Sequence, residues 1–278
     1  MSTTSGPDDR YWQTHVSSLT DQKVSIRGYD LETLIGNLSF SSAIYLLIRG
    51  QLPTRSQVHV LDAVLSAVLD YGLEKPGTAA ARFAVSANPS MAVGLAAACM
   101  SVGSNTLATH DTARFASETH DRYLRSGQAL DIFAAHEVAR LRAAGRRIPG
   151  LGHPVFKRED PRGAALKRVA VEEGCWPAEA DTYEALHRAF TALPGKQDIP
   201  INDVGVMALV LVGLGFTPEE GTGLAILSTL PGVIAHVSEE MTNGRPIRVI
   251  SPDSVSYDAP CTRDFATDQQ ALRGGVVS

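Results

Sequence analysis

The stretch from Gly150 to Arg162 places two glycines, a histidine, three cations and an Asp-Pro pair within one short run. The glycines permit backbone conformations that other residues rarely adopt, and they let a ligand approach the main chain closely. The imidazole of His153 can donate a hydrogen bond to a carbonyl or hydroxyl oxygen. Lys157, Arg158 and Arg162 can bind carboxylates or phosphates. An ordinary surface turn with solvated charges has the same composition, so this run alone leaves both interpretations open.

The segments that must position this run have the helical period almost throughout. We expect helices to follow the cap residues Asp30, Ser39 and Thr54, with the second of these helices ending at Gly50. A chain break is expected at Gly72, Pro76 and Gly77. Strands are predicted to be short and peripheral, so the fold class is all-α. The remaining predicted helices are Met91–Val102, 109–145, 163–190 with a break near Gly174 and Pro177, Val204–Leu214, and one from Pro218 to Met241 that Pro231 kinks or splits.

Length and charge exclude several classes of protein. The chain has 278 residues, of which 44% are hydrophobic, and a formal net charge of -5. This is enough for one large domain or two smaller ones, and the mild acidity gives no electrostatic reason to expect nucleic-acid binding. Residues 1–10 are polar and are expected to form a disordered tail without a signal sequence. The longest apolar run, Val204 to Phe216, is too short to span a membrane and favours a buried helix.

Cysteine and histidine spacing gives no metal or disulfide framework. Cys99, Cys175 and Cys261 are odd in number and far apart, which favours a reducing cytoplasm. His110 and His120 lie near acidic residues, but their spacing is not typical of zinc or iron sites. We therefore expect no metal and no prosthetic group.

Several motifs along the chain resemble the citrate synthase superfamily, particularly the branch that contains citryl-CoA lyase and the C-terminal module of ATP-citrate lyase. The Gly150–Arg162 run resembles that family's GFGH.VYK..DPR motif, and the resemblance covers roughly residues 11–260. The other segments that carry it are Arg27-Gly28-Tyr29, the run from Tyr45 to Thr54, Asp70-Tyr71-Gly72, Pro200-Ile201-Asn202-Asp203 and Ala235-His236 with Glu239.

The resemblance implies a large helical domain of residues 11–110 and 216–278, a small helical domain of 111–215, and an active-site cleft between them. It also implies a homodimer or a higher homo-oligomer. Charge and the length of the apolar runs, as argued above, give no reason to expect nucleic-acid or membrane partners. The implied reaction is Claisen chemistry, in which an acyl-CoA thioester condenses with a 2-oxo acid, or the reverse cleavage.

Three polar residues match the family's catalytic and substrate-binding positions. Asp203 resembles the base that removes the α-proton, although an aspartate at a helix start is often only a cap. His153 resembles the donor to the keto or hydroxyl oxygen, against the alternative of a structural loop histidine. Arg162 resembles a ligand of a substrate carboxylate, against the alternative of a surface arginine.

The resemblance also implies where coenzyme A binds. The main chain of residues 150–153, including Gly150 and Gly152, would hold its nucleotide end together with Lys157 and Arg158. Solvated loop cations are the alternative interpretation for these two side chains.

Other positions depart from the family pattern. The histidine that usually donates to the thioester enolate falls at Thr106, whose hydroxyl is a weaker donor, and His110 one turn later is an alternative donor. The histidine of the family's Asp-His-Gly motif is Tyr71. Two arginines that bind citrate carboxylates fall at Thr229 and Ser251.

The missing arginines bear on the substrate. Arg245 and Arg248 lie close to Ser251 and Arg248 is the expected substitute, although the spacing differs. Each charge-assisted contact with a carboxylate is worth about 1.5–3 kcal/mol, so losing two or three weakens tricarboxylate binding by orders of magnitude. We therefore expect that neither citrate nor oxaloacetate is the substrate. The expected co-substrate is less charged and more apolar, in a pocket containing Tyr71, Thr229 and Ser251. The alternative is a catalytically degenerate homologue that binds a CoA thioester or has a regulatory role.

Overall fold

The computed structural model describes residues 11–258 and 263–274, so the tail predicted at 1–10 and Cys261 lie outside the described residues. The described chain is mostly helical, which confirms the all-α prediction. Its elements are β1 (Ser17–Leu19), β2 (Val24–Ile26), β3 (Tyr29–Asp30), α1 (Leu31–Leu34), α2 (Phe40–Arg49), α3 (Arg55–Ala67), α4 (Pro76–Ala87), α5 (Met91–Met100), α6 (Thr109–Ser126), α7 (Leu130–Ala143), α8 (Pro161–Glu172), α9 (Ala178–Thr191), α10 (Asp203–Gly213), α11 (Pro218–Asn243) and α12 (Phe265–Gly274).

The three strands form one small antiparallel sheet in the order β1-β2-β3. In the sequence they precede all of the helices. Ser17 pairs with Ile26, and Ser25 pairs with Asp30. The sheet has no fully buried residue, which agrees with the prediction of short, peripheral strands.

Local capping chemistry sets the ends of α2 and α3 as predicted. Ser39 accepts a hydrogen bond from the N–H of Ser42 at the start of α2. Gly50, with a φ of 77°, ends the same helix in the left-handed conformation that favours glycine. Thr54 and Gln57 form a reciprocal capping box at the start of α3. These caps satisfy backbone groups that would otherwise be unpaired at the helix ends.

Helix α10 lies at the centre of the core. Every residue from Gly205 to Leu211 is buried, and the helix packs against α3, α6, α8, α9 and α11. A helix that is apolar on all sides needs neighbours on all sides, which is what the continuous apolar sequence of α10 predicts. Asp203 is the first residue of this helix, so the core fixes its position.

Two predicted helix boundaries are wrong. Pro76 and Gly77, predicted to break the chain together with Gly72, instead begin α4, because a proline in the first helical turn lacks only an N–H that has no partner there. The predicted helix 109–145 is two helices, since Gly127 adopts a φ of 63° after α6.

Pro231 does not split α11, which runs unbroken from Pro218 to Asn243. The N–H of Gly232 instead donates to the carbonyl oxygen of Leu69, at 2.9 Å. A Cβ at position 232 would lie 2.3 Å from that oxygen, so only glycine allows the approach. This hydrogen bond at the Pro231-Gly232 step therefore attaches the segment after α3 to α11.

By length and composition α11 could cross a membrane, a test that core helices of soluble proteins also pass. The helix packs against α3, α4, α5, α6 and α10, and about a third of its apolar window is buried.

A buried acidic residue near the end of α11 gives a prediction about pH. Glu240 accepts hydrogen bonds from Arg248 and Arg82. The bonds from Arg248, against the opposing effect of burial, hold the pKa of Glu240 below its ordinary value of 4.5. We expect Glu240→Gln to lower the free energy of unfolding by about 1.5–3 kcal/mol near neutral pH.

The loss of unfolding free energy in Glu240→Gln should be largest near neutral pH and should shrink as the pH falls. Because the folded pKa lies below the unfolded one, the stabilisation is complete above about pH 5 and is lost as the pH falls through the folded pKa. Urea unfolding between pH 3.5 and 7.5 measures this. Glu239→Gln is the matched control, since exposed Glu239 shares only Arg82 and should change stability by less than about 1 kcal/mol. A pH-independent deficit, or equal effects of the two variants, would contradict the assignment.

Candidate active site

The Gly150–Arg162 run is attached to the start of α10 by a short ladder of backbone bonds. Leu151 and Ile201 form an antiparallel bridge, and the N–H of Gly152 donates to the carbonyl oxygen of Pro200 at 2.8 Å. Asn202 donates from its backbone N–H to Gly150 O and from its side chain to Gly152 O, both at 2.9 Å. The same Asn202 caps α10 by accepting from the N–H of Gly205. These bonds bring two segments 50 residues apart in sequence into one site.

Arg162 lies at the centre of this site. Its Nη1 is 3.0 Å from Oδ2 of Asp203, and its Nη2 is 3.2 Å from Nε2 of His153. It also makes a two-point contact with Asp160, at 3.2 Å from Nε and 2.9 Å from Nη2. Arg162 is therefore within hydrogen-bond distance of both His153 and Asp203, the other two residues predicted from the family motifs.

Asp160 is a site residue that the sequence reasoning did not assign. It is buried and caps α8 by accepting from the N–H of Arg162, and its other oxygen accepts from the N–H of Asp203 at 3.2 Å. Burial alone would raise the pKa of Asp160, but the hydrogen bonds and charge of Arg162 hold it below its ordinary value. A charged carboxylate at position 160 thus positions both Arg162 and Asp203. In the sequence, the indication of a role for Asp160 was its position directly before Pro161, which is typical of a helix N-cap.

The bonds to the ring of His153 indicate its protonation pattern. Nδ1 accepts from the backbone N–H groups of Val155 and Phe156, at 3.1 and 3.0 Å. In a neutral imidazole the proton then lies on Nε2. This N–H and the guanidinium of Arg162 are both donors and face each other. An oxygen that accepts from both would satisfy them, so the pair is arranged for a substrate carbonyl or carboxylate oxygen.

Asp203 is buried and uses one of its two oxygens. Oδ2 pairs with Arg162 and also accepts from the hydroxyl of Tyr71 at 3.3 Å. No hydrogen-bond partner of Oδ1 is found among residues 11–258 and 263–274. Burial of Tyr71, and then the negative charge of Asp203, raise the pKa of its phenol, which keeps Tyr71 a proton donor. Oδ1 is therefore the oxygen of Asp203 that can accept a proton from a ligand.

His153, Asp160 and Asp203 could by geometry hold a metal ion, because their ligand atoms lie within 4.8 Å of one another. The guanidinium of Arg162 already pairs with both carboxylates, at 2.9 and 3.0 Å. This permanent cation supplies the positive charge that a metal would bring, so the cluster favours an organic anion as its ligand.

A small cavity beside Asp203 brings together three predicted positions, Tyr71, Thr106 and Thr229. We call it the Tyr71 cavity; its other lining residues are Asp70, Lys75, Gly77, Thr78, Ala98, Ser101, Val102, Leu107 and Val233. The hydroxyl of Tyr71 donates to Asp203, so this side chain lies between the cavity and the Asp203 cluster. The bond from the N–H of Gly232 to the carbonyl oxygen of Leu69 holds the segment after α3 against α11, and this places Tyr71 close to Thr229.

A second cavity of about 520 Å³ opens beside the backbone of Gly152. We call it the Gly152 cavity; four cations line it, Arg142, Arg146, Arg147 and Lys196, over an apolar wall that includes Leu141, Ile148, Leu151 and Phe190. None of the four cations pairs with a carboxylate in the described part of the chain. Sequence reasoning missed this cluster as a site, and the available signal was the Arg146-Arg147 pair before the motif.

Lys157 and Arg158, the two side chains predicted to bind coenzyme A, do not line the Gly152 cavity. Arg158 is 82% exposed and pairs with Asp198 at 2.7 Å, and the ammonium of Lys157 is 3.4 Å from the carbonyl oxygen of His153. The Gly152 cavity includes neither of them, but it does include the predicted Gly152.

Two further predicted residues have partners outside the cluster. Arg248 binds Glu240 with two hydrogen bonds, at 2.6 and 2.8 Å, and does not line the Tyr71 cavity. At the start of α6, Nδ1 of His110 lies 3.2 Å from the hydroxyl of Thr222, which belongs to α11. Neither Arg248 nor His110 is a hydrogen-bond partner of Asp203.

The sequence model of the family described as "Citrate synthase, C-terminal domain" matches residues 55–250, which include His153, Asp160, Arg162 and Asp203. The chain belongs to the citrate synthase family. It is 30% identical over 102 residues to citrate synthase 2 of Bacillus subtilis (strain 168), a match that covers 37% of this chain and 27% of that protein. This match thus spans about a quarter of the length of that relative.

Solved structures agree with the family assignment. Citryl-CoA lyase from Hydrogenobacter thermophilus is 31% identical, with a TM-score of 0.83, covering 94% of this chain and 100% of that one. ATP citrate lyase from Methanothrix soehngenii, solved with citrate and coenzyme A, is 20% identical with a TM-score of 0.76, covering 91% of this chain and 42% of that one. At 20% identity, the match to ATP citrate lyase shows a similarity of fold alone. Together these matches confirm the predicted superfamily and its citryl-CoA lyase branch, and the fold supports carbon–carbon chemistry on CoA thioesters in general.

Proposed function

We propose that this chain catalyses Claisen or retro-Claisen chemistry between an acyl-CoA thioester and a 2-oxo acid that is less charged and more apolar than oxaloacetate. The observation that carries the proposal is the convergence of His153, Arg162 and Asp203, with the base held by the core helix α10. Enolate formation from a thioester needs a base at the α-carbon and donors at both reacting oxygens.

Each residue has one role in the proposed reaction. Oδ1 of Asp203 takes the α-proton, and Nε2–H of His153 donates to the keto oxygen, where negative charge develops on carbon–carbon bond formation. Arg162 binds the carboxylate next to that keto group, and Thr106 donates to the thioester oxygen. In the cleavage direction the same groups act in reverse, with Asp203 returning the proton to the enolate carbon.

The Gly152 cavity supports a site for the nucleotide end of coenzyme A. Its volume of about 520 Å³ is within the range of small-molecule sites, and its cations match the phosphates of that cofactor. The apolar wall provides a surface for the adenine ring. We assign this role to Arg142, Arg146, Arg147 and Lys196 together with the main chain of Gly152, and a smaller one to Lys157 and Arg158.

The substrate restriction follows from the number of cations near Asp203. Arg162 is the guanidinium in contact with the cluster, and Thr229 and Tyr71 occupy positions where the family pattern has basic residues. A tricarboxylate would leave charge without a partner in a partly buried site, which costs several kcal/mol.

A degenerate homologue that binds CoA thioesters without turnover is the second candidate. The observation that favours it is the neutral hydroxyl of Thr106 at the position of the expected enolate donor. A hydroxyl stabilises an enolate less than a charge-assisted donor does.

Exchange of the acyl-CoA α-proton with solvent deuterium, followed by mass spectrometry, tests the proposed function. We expect exchange with at least one member of a panel of acetyl-, propionyl- and longer acyl-CoA esters, and faster exchange when a 2-oxo acid is present. Thermal shifts measured on the same panel report binding separately. Binding without exchange across the whole panel would favour the degenerate homologue, and citryl-CoA cleavage at about 10 per second, a median enzymatic rate, would contradict the substrate restriction.

A further inference from the structure

One side chain connects the two segments that carry the proposed donor and the proposed base. Asn202 is half-buried and directly precedes Asp203 at the start of α10. Its Nδ2 donates to the carbonyl oxygen of Gly152 at 2.9 Å, and its Oδ1 accepts from the N–H of Gly205 at 2.8 Å. Gly152 in turn directly precedes His153. We call these two side-chain bonds the Asn202 link.

The two partners of the Asn202 link determine how the carboxamide is oriented. A backbone N–H can only donate and a carbonyl oxygen can only accept, so Oδ1 must face Gly205 and Nδ2 must face Gly152. A side chain at this position therefore needs an acceptor and a donor at once. Serine and aspartate cap helices about as well as asparagine does, but neither has a donor of the same reach. Capping of α10 alone therefore does not require asparagine.

The backbone ladder beside α10 does not itself hold the peptide between Gly152 and His153. Its bonds run from Gly152 N to Pro200 O and from Asn202 N to Gly150 O, and both lie before that peptide. Gly152 then adopts a φ of 93°, which turns the chain out of the strand direction. The carbonyl oxygen of the peptide accepts instead from Nδ2 of Asn202.

The orientation of this peptide reaches the imidazole through one tight turn. Nδ1 of His153 accepts from the N–H groups of Val155 and Phe156, at 3.1 and 3.0 Å, so the ring and the turn are held together. Nε2 then lies 3.2 Å from Nη2 of Arg162. A rotation of the peptide before His153 would therefore move the whole turn and direct Nε2 away from Arg162.

The base at the other end of the Asn202 link is held by further contacts. A Cβ on Gly205 would lie 2.6 Å from the carbonyl oxygen of Gly150, so the loop rests directly on α10. The N–H of Asp203 also donates to Asp160, at 3.2 Å. Neither contact depends on the amide donor. Loss of that donor should therefore leave the base in place and release mainly His153.

We propose that Asn202 is a positioning residue whose amide donor fixes the placement of His153 relative to Asp203. It acts through the peptide between Gly152 and His153. Its catalytic meaning rests on the proposed function, in which Nε2 of His153 donates to the keto oxygen of the 2-oxo acid. Recognition of that oxygen should therefore depend on the Asn202 link, whereas recognition of the carboxylate by Arg162 should not.

Asn202→Ser and Asn202→Asp test the link without any substrate. Both keep an acceptor for Gly205, but the serine hydroxyl ends one bond short of the amide nitrogen and a carboxylate cannot donate to Gly152. Side-chain ¹⁵N spectra at about pH 8.5, where free imidazole is neutral, report the tautomer of His153. The His153 signal is the one absent from His153→Gln.

We expect the wild-type His153 signal to show the Nε2–H tautomer alone and both Asn202 variants to show a mixture of the two tautomers. Because the helix cap remains, both variants should keep the wild-type Tm within about 4 °C. A variant that is folded and still shows the single tautomer would overturn the positioning role.

Calorimetric titration of 2-oxobutyrate and butyrate, with coenzyme A present, measures recognition of the keto oxygen, since the two acids differ in that oxygen alone. We expect the wild type to bind 2-oxobutyrate about 2- to 12-fold more tightly, the ratio that one hydrogen bond gives. Asn202→Ser should abolish this preference and leave the affinity for butyrate within about twofold.

Asn37→Ser is the matched control, because its amide donates to the carbonyl oxygen of Thr33 in the segment after α1. It should change neither the His153 spectrum nor the keto preference. A keto preference retained in Asn202→Ser would also overturn the positioning role. A wild type without keto preference would count against the proposed function, and the His153 spectrum would then decide by itself whether Asn202 positions the imidazole.

Discussion

Replacing Asp203 with asparagine is expected to slow α-proton exchange by about 10²- to 10⁴-fold, the usual contribution of a positioned general base. Asparagine has the same shape and can still accept hydrogen bonds from Tyr71 and Arg162, but it cannot take up a proton. Because the four cations of the Gly152 cavity are unchanged, the affinity for the acyl-CoA ester should stay within about twofold. Deuterium exchange and calorimetric binding, measured on the same ester, separate the two effects.

Asp198→Asn is the matched control for this variant. Asp198 is an exposed aspartate close in sequence whose partner is Arg158, so the same chemical change there should leave exchange unaltered. Thermal unfolding of both variants shows whether Arg162, left with Asp160 as its acidic partner, changes the stability. Exchange by Asp203→Asn at a rate within tenfold of the wild type would mean that another group removes the proton.

The sequence predicted the parts of the fold that depend on local chemistry. The caps at Ser39 and Thr54, the glycine end at Gly50 and the all-apolar helix α10 follow from side-chain hydrogen bonding and burial, which neighbouring residues largely determine. The convergence of His153 and Asp203 was predicted only through the family resemblance, since no local rule brings residues 50 positions apart together.

The features that could not be predicted depend on long-range contacts. Pro231 was expected to kink or split a helix, but the bond from Gly232 to Leu69 compensates for the disturbed turn, and that partner is more than 150 residues away in sequence. The sequence did not assign Asp160 to the site, because its bond from the N–H of Asp203 exists only after α8 packs beside α10.

The second large effect is expected from the two glycines of the Gly150–Arg162 run. Gly150 has a φ of 83°, and a Cβ there would lie 2.8 Å from Oγ1 of Thr112 and 2.9 Å from both Gly205 Cα and the hydroxyl of Tyr183. We expect Gly150→Ala to lower the free energy of unfolding by about 2–5 kcal/mol, the left-handed backbone contributing about 1–2 and the overpacking about 1–3. Urea unfolding measures the change.

Gly152→Ala separates these two contributions, because Gly152 has a φ of 93° but its nearest neighbour to an added Cβ is Ile199, at 4.0 Å. This variant should lose only the backbone part, about 1–2 kcal/mol. The difference between the variants therefore reports how tightly the loop packs against α6 and α10. Equal losses would mean that the loop yields easily, and a loop that yields could not hold His153 within hydrogen-bond distance of Arg162 while α10 holds Asp203.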